Sequence, residues 1–276
     1  MNQLQVDQII RRALEEDIGH GDITTDNLVP PDHQSQGVML AKEDGVIAGL
    51  EVAGRVFALL DAGVGFEALI QDGNQIHTGQ HLARLSGPTR ALLTGERTAL
   101  NLLQRMSGIA TRTWQLCRLI QDQKARIVDT RKTTPGLRLL EKYAVQVGGG
   151  RNHRFGLFDA VLIKDNHIRA AGGITPAVTT VRSRVPHTTR IEVEVADLDM
   201  LREALAVGAD IIMLDNMSVE AMQEAVEITA GRALLEASGG INEQTLAAVA
   251  AAGVDYISIG ALTHSAPALD ISLDLL

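Results

Sequence analysis

From residue 126 onward, short apolar runs alternate with amphipathic stretches, and no other feature of the chain restricts its fold as tightly. The runs are ARIVDT, AVLIK, IEVEV, DIIMLD, ALLEA and VDYISIG. Between them the spacing of apolar residues predicts helices near 136–147, 174–184, 197–207, 218–230 and 242–252. Alternation of this kind means right-handed crossovers and a parallel sheet. Such a sheet either opens into a doubly wound layer or curls into a barrel. The strand ends favour the barrel. Each run finishes on charge or glycine: Asp129 to Lys132, Lys164, Glu194, Asp215, Glu236 and Gly260. In a barrel these ends converge on one mouth, where the chemistry sits. So many polar ends suit a mouth better than a single crevice.

The preceding part of the chain has a different texture. Residues 3 to 16 have helical spacing, with Leu4, Ile9, Ile10 and Leu14 roughly on one side. Between 36 and 87 the runs QGVMLAKED, GVIAGL, FEALI and HLARLSG, separated by glycine turns, predict a small sheet-rich unit. Residues 88 to 123 are helical again, with Gly108 placed to break the helix in two. DGNQIHTGQHLARLSG has the look of a biotinyl- or lipoyl-type turn, but it lacks a lysine at its tip, so a swinging-arm carrier is not expected. Trp114 and Cys117, three apart on a helix, read as packing.

Charge and composition remove several classes of function. Acidic residues outnumber basic ones, 34 to 25, and only 3% of the chain is aromatic. That is poor material for a phosphate-backbone partner or for stacking on bases, so no nucleic acid is expected. Cys117 is the only cysteine, which excludes an internal disulfide and a cysteine-rich metal site and suits a reducing, cytoplasmic setting. No signal-peptide pattern opens the chain, and no apolar run reaches the roughly 18 residues of a membrane span.

Against this acidic balance one string stands out. Residues 131–154 hold Arg131, Lys132, Arg138, Lys142, Arg151 and Arg154 against a single acid, Glu141. Together with the strand ends, they give the mouth a cationic half of Arg131, Lys132, His153, Arg154 and Lys164 and an acidic half of Glu194 and Asp215. Arginine forks bind carboxylate or phosphate bidentately and lysine adds a point charge. Such a cluster repels itself unless it meets an anion with at least two negative groups. The acidic pair is suited to hydrated Mg²⁺, which takes one or two carboxylates plus phosphate oxygens. A competing reading turns Glu194 outward, with Glu192 facing the opposite way. The last two strand–helix loops, EASGGI and SIGAL, place Ser238, Gly239, Gly240, Gly260 and Ala261 where backbone N–H groups of a barrel hold a phosphate.

These strings resemble a known family. DTRKTTPGLRLLEKYAVQVGGGRNHRFGLFDAVLIKDNHI, ERTALNLLQRMSGIAT, EVEV, IMLDN, EASGGI, SIGALTHS and, near the start, EEDIGHGDITT are similar to quinolinate phosphoribosyltransferases, over nearly the whole chain. The resemblance implies an α/β fold: an N-terminal α/β sandwich over 1–110 and an incomplete parallel α/β barrel over 111–267, with the tail 268–276 returning to the first domain. It implies the joining of quinolinate to phosphoribosyl pyrophosphate with Mg²⁺, yielding nicotinate mononucleotide, pyrophosphate and CO₂. By the same resemblance Arg131, His153, Arg154 and Lys164 match substrate-pocket cations, and Lys132 a lysine near the pyrophosphoryl donor, with Thr130 beside it. Glu194 and Asp215 match acids at the ribose and Mg²⁺. Ser238, Gly239, Gly240, Gly260 and Ala261 lie in the loops for the 5-phosphate. Arg97 matches an arginine that reaches the neighbouring subunit's pocket, implying a homodimer or higher oligomer. Arg105 and His167 lie in matching strings without an assigned role.

Other readings stay open on the sequence. A nicotinate phosphoribosyltransferase needs one carboxylate clamp rather than two. A molybdenum-transport-associated homologue shares the scaffold. A Schiff-base aldolase would use Lys132 or Lys164 as its amine, in a desolvated cationic pocket. A phosphate-binding module would bind without turnover.

Overall fold

The structure, a computed structural model, describes all of residues 1–276. In chain order the elements are α1 (Gln3–Ile18), α2 (Thr25–Leu28), β1 (Gln34–Ala41), β2 (Gly45–Val46), α3 (Leu50–Leu60), β3 (Gly65–Ala68), β4 (Gln75–Ile76), β5 (His81–Pro88) and α4 (Thr89–Leu119). There follow β6 (Arg126–Val128), α5 (Arg138–Val147), β7 (Val161–Ile163), α6 (Asp165–Ala171), α7 (Ile174–Arg182), β8 (Ile191–Val195) and α8 (Leu198–Ala206). The last are β9 (Ile211–Asp215), α9 (Val219–Thr229), β10 (Leu234–Ser238), α10 (Glu243–Ala251), β11 (Tyr256–Ser258), α11 (Ala261–His264) and β12 (Ile271–Leu275). None of the helices is long and apolar enough to cross a membrane.

The chain forms two compact units, and neither is a single stretch of sequence. The first gathers Met1–Trp114, Thr133–Gly149 and Leu262–Leu276; the second gathers Gln115–Lys132 and Gly150–Ala261. A cut at residue 110 therefore differs from the observed division, because 133–149 and 262–267 pack with the first unit. In that unit β12-β1-β5-β3 form an antiparallel sheet, and β12 pairs with β1 from Gly37↔Leu275 to Ala41↔Ile271. Phe57, Ile10, Met39, Leu82 and Leu92 are fully buried beside this sheet and its helices. The run LEVAGRVFALL is α3, although its neighbourhood reads as β; it buries Leu50, Val52, Ala53, Val56 and Phe57 on one face, and that helical period overrides the β texture around it.

Helix α4 runs unbroken through Gly108. A Cβ at that position would collide with the carbonyl oxygen of Pro267. Gly108 is thus a close-approach glycine, not a break.

The second unit is built on a parallel sheet of order β6-β11-β10-β9-β8-β7. This is the sequential order of a barrel in which the last strand has come round to the first: Ile257 pairs with Ile127. The ladder between β6 and β7 is missing, so the barrel is incomplete. At that seam Arg151 makes a lone bridge to Val128. The strands are nearly continuous apolar runs because both faces are covered; Val193, Ile212, Leu214, Leu235, Ala237 and Ile257 are all buried. The crossover helices each bury one stripe, such as Leu201 and Ala204 on α8 and Met222 and Ala225 on α9. Three polar residues interrupt the apolar strands: Glu192, Glu236 and Ser258 are all buried.

Candidate active site

The strand ends of the second unit carry most of the residues singled out by sequence. After β6, Asp129 is fully buried and accepts from the backbone N–H of His153 at 2.8 Å. That bond ties the NHR turn to the end of β6. Thr130 Oγ1 accepts from the N–H of Lys132 at 3.0 Å, so Thr130 shapes the turn that presents Arg131 and Lys132. The six basic residues of 131–154 are shared between the two units. Arg138 and Lys142 lie on α5, in the first unit, where Arg138 Nε donates to Thr133 and Lys142 is buried. The sequence could not show that the chain leaves one unit and re-enters it within this string.

Arg154 is the most informative cation. Nη1 donates to the carbonyl of Ala160 at 3.2 Å, while the buried Nε meets no protein acceptor. Burial, followed by the charge of Arg131, pushes its pKa down, with Glu192 and Asp159 pulling the other way. Two guanidinium groups that feel each other, with the Nε of Arg154 buried away from any protein acceptor, have the chemistry to receive an anion.

The His153 side chain is 11% exposed, and Nε2 lies 3.0 Å from Glu192 Oε2 and 3.7 Å from Glu236 Oε2. The N–H of Arg154 donates to Nδ1 at 2.8 Å. Both ring nitrogens therefore face groups of the protein itself. Glu192 and Glu236 were missed as partners. Glu192 does not face opposite to Glu194: residues two apart on a strand share a face, and the period alone corrects that reading.

Lys164, at the end of β7, holds Glu194 on the neighbouring β8 through Nζ–Oε2 at 2.7 Å. The lysine side chain is 46% exposed, which removes the desolvation that a Schiff-base amine needs. His167 gains a role: Nδ1 accepts from the N–H of Lys164 at 3.0 Å and caps α6. Asp215 ends β9 and accepts from Asn216 Nδ2 at 3.0 Å. Glu194 and Asp215 each keep one carboxylate oxygen that receives no protein donor, on adjacent strands. Such hard oxygen donors fit Mg²⁺, which is completed by water and phosphate oxygens. The tightest grouping of potential metal donors is instead His153, Glu192 and Glu236.

The glycine loop after β10 depends on a residue the sequence reading passed over. Gly239 and Gly240 have φ of +94° and +61°. A Cβ on Gly239 would fall on Oδ1 and Cγ of Asn216. Asn216 is itself left-handed, at φ +54°, and its N–H donates to the carbonyl of Ser238 at 2.9 Å. The Asp-Asn pair at the end of β9, of a type that tolerates this conformation, was the available signal. Gly260 and Ala261 follow β11 and open the short α11. Ile259, one residue earlier, bonds to the carbonyl of Val128 on β6.

Arg97 and Arg105 belong to the first unit. The Arg97 side chain is 61% exposed and 3.9 Å from Glu96. Arg105 donates to the fully buried Glu141 at 2.9 Å and to the carbonyls of Ala266 and Thr263. Glu141 Oε2 accepts from the N–H of Thr134 at 3.0 Å. Arg105 is therefore a structural hub that gathers three separate stretches of the first unit.

The strand ends of the open barrel thus bring together cations, carboxylates and glycine loops. The chain belongs to the quinolinate phosphoribosyl transferase family: it matches that family's N-terminal domain over residues 22–107 and its C-terminal domain over residues 109–274. It is 46% identical over 275 residues to a probable nicotinate-nucleotide pyrophosphorylase [carboxylating] of Bacillus subtilis, covering 100% of this chain and 95% of that one. It is 48% identical over 272 residues to the nicotinate-nucleotide pyrophosphorylase [carboxylating] of Mycobacterium leprae, covering 96% and 95%. Among solved structures, NadC from Streptococcus pyogenes superposes with a TM-score of 0.95 at 44% identity, covering 100% and 99%.

Proposed function

We propose that the chain is a carboxylating phosphoribosyltransferase of NAD biosynthesis. Quinolinate and phosphoribosyl pyrophosphate are joined, pyrophosphate and CO₂ leave, and nicotinate mononucleotide is formed. The observation that carries this reading is the buried, unsatisfied Nε of Arg154 beside Arg131. Two forks suit the two ring carboxylates of quinolinate, whereas nicotinate has one. Lys132 faces the pyrophosphoryl group. Ser238, Gly239, Gly240, Gly260 and Ala261 offer backbone N–H groups to the 5-phosphate. Glu194 and Asp215 face the ribose and would hold Mg²⁺ directly or through water; when bound, the ion offsets charge on the pyrophosphate. Lys164, anchored on Glu194, faces the same mouth. Arg97 completes the site of a neighbouring subunit, which makes the enzyme at least a homodimer. A cytoplasmic setting agrees with the single cysteine.

The chemistry is electrostatic positioning. The lone pair of the pyridine nitrogen attacks ribose C1 as the bond to pyrophosphate breaks, through an oxocarbenium-like state. Fixed cations offset the charge that develops on the leaving group. In the resulting pyridinium the bond from C2 to its carboxylate breaks. CO₂ departs, the electron pair stays at C2, and a solvent proton replaces it. No side chain serves as a covalent nucleophile. The test is turnover of carboxyl-labelled quinolinate with phosphoribosyl pyrophosphate and Mg²⁺, following CO₂ and nucleotide together and with nicotinate in parallel. One CO₂ per nucleotide from quinolinate, and little product from nicotinate, is expected. Folded protein without turnover, or with equal use of nicotinate, would refute the reading.

A further inference from the structure

Behind the mouth lies a group that the chemistry above leaves unused. Glu192 on β8 and Glu236 on β10 flank β9 and are 5% and 4% exposed. Both direct Oε2 at the same nitrogen, His153 Nε2. The other oxygen of each, Oε1, is buried and has no hydrogen-bond partner. Two buried carboxylates converging on one ring nitrogen are costly unless a shared proton or a cation joins them.

The spacing of these three residues allows a metal ion. The ring's hydrogen bonding argues against one. A metal would need the Nε2 lone pair and a hydrogen on Nδ1. Nδ1, however, accepts from the N–H of Arg154 at 2.8 Å, so the lone pair is on Nδ1 and the hydrogen on Nε2. A proton on one of the acids solves the charge problem without that conflict. Burial, then the charge of Glu192, pushes Glu236 up to about 7, with His153 and Ser258 working in the other direction.

We infer that Glu192 and Glu236 are positioning residues: together they hold His153 in its Nε2–H tautomer, and through His153 Nδ1 they fix the backbone of Arg154 and hence the aim of its guanidinium. The inference rests on the activity proposed above only for its kinetic readout. The ring reaches the substrate groups through the backbone of Arg154, so the effect is expected on the carboxylate substrate first.

The experiment uses the full chain with ¹⁵N-labelled histidine. His153 is picked out among the eight histidines by its absence in His153→Asn. The parent and Glu192→Gln are expected to show His153 as Nε2–H, and Glu192→Ala, which loses the 3.0 Å partner of Nε2, a mixture of tautomers. Kinetically, Glu192→Ala raises the KM for quinolinate about tenfold, the worth of one hydrogen bond to a charged group, and leaves that for phosphoribosyl pyrophosphate within about twofold. Glu192→Gln keeps the shape and an acceptor, and stays within about threefold of the parent for both substrates. An Nδ1–H tautomer in the parent, or stoichiometric metal that the purified parent holds and His153→Asn loses, overturns the inference. So does an unchanged quinolinate KM in Glu192→Ala. The parent spectrum needs neither turnover nor a folded variant, so loss of the proposed activity and loss of this inference are separate outcomes.

Discussion

Replacing Gly239 with alanine tests how the glycine loop is built. At φ +94° an L side chain costs about 1–2 kcal/mol in backbone strain alone. The new Cβ would also land on the side chain of Asn216. Asn216 cannot swing away freely, because its amide donates to Asp215 at 3.0 Å; giving up that bond costs about 1 kcal/mol more. The sum, about 2–3 kcal/mol, is roughly a 30- to 150-fold fall in kcat/KM for phosphoribosyl pyrophosphate. Gly240 is the control. It has φ +61° and nothing within 4 Å of its would-be Cβ. Gly240→Ala therefore carries the backbone cost alone, roughly 5- to 30-fold. Adding Asn216→Gly to Gly239→Ala removes the collision but not the strain, and should bring the double variant to the level of Gly240→Ala. Steady-state kinetics varying each substrate in turn, with circular dichroism to confirm folding, decides the matter. Equal losses in the two alanine variants, or no recovery in the double variant, would refute the role given to Asn216.

Removing Arg105 leaves Glu141 charged and fully buried; Arg105→Met should lose about 3–5 kcal/mol in a denaturant titration, part of it regained when Glu141→Gln is added. Glu236, raised to about 7 from an ordinary 4.5, binds a proton more tightly folded than unfolded, so its contribution is complete at low pH. Stability should fall as pH rises between those two values, by on the order of 3 kcal/mol at about 1.4 kcal/mol per pH unit. The difference in thermal midpoint between the parent and Glu236→Gln, measured from pH 4.5 to 7.5, would be flat if the reasoning fails. Arg97→Ala and Lys164→Ala should each be inactive, yet recover some activity when mixed and allowed to exchange subunits; no recovery after confirmed exchange argues against a site shared between subunits.

The barrel was legible because its strands are apolar on both faces and their period is unmistakable; five of the six apolar runs contain the observed strand, and the sixth, ALLEA, stops one residue short of it at Ser238. The short α6 escaped notice, since DNHIRAA buries no residue and leaves no apolar stripe to read. Helix α3 was hidden by neighbouring glycine turns. The cations Arg131, Lys132, Arg154 and Lys164 could be placed at strand ends, because a loop after a parallel strand has only one edge to occupy. Their burial and pairing could not be placed. Whether His153 faces a ligand or two carboxylates depends on residues 39 and 83 positions further along the chain, Glu192 and Glu236. Arg105 likewise acts through Thr263 and Ala266, a distance no local pattern spans.

In the antiparallel sheet of the first unit β1 precedes the second unit in the chain, but its partner, the edge strand β12, comes only after it. A ribosome releases the chain from its first residue onward, and domains of ordinary proteins fold in that order. Here the order fails. While the second unit is being synthesised, β1 waits with one edge uncovered, and the 133–149 insertion and the 262–276 tail have still to join it. The first unit can finish only after the second has been made. A stalled or truncated chain would thus expose a strand edge belonging to its beginning, the type of edge that recruits other chains.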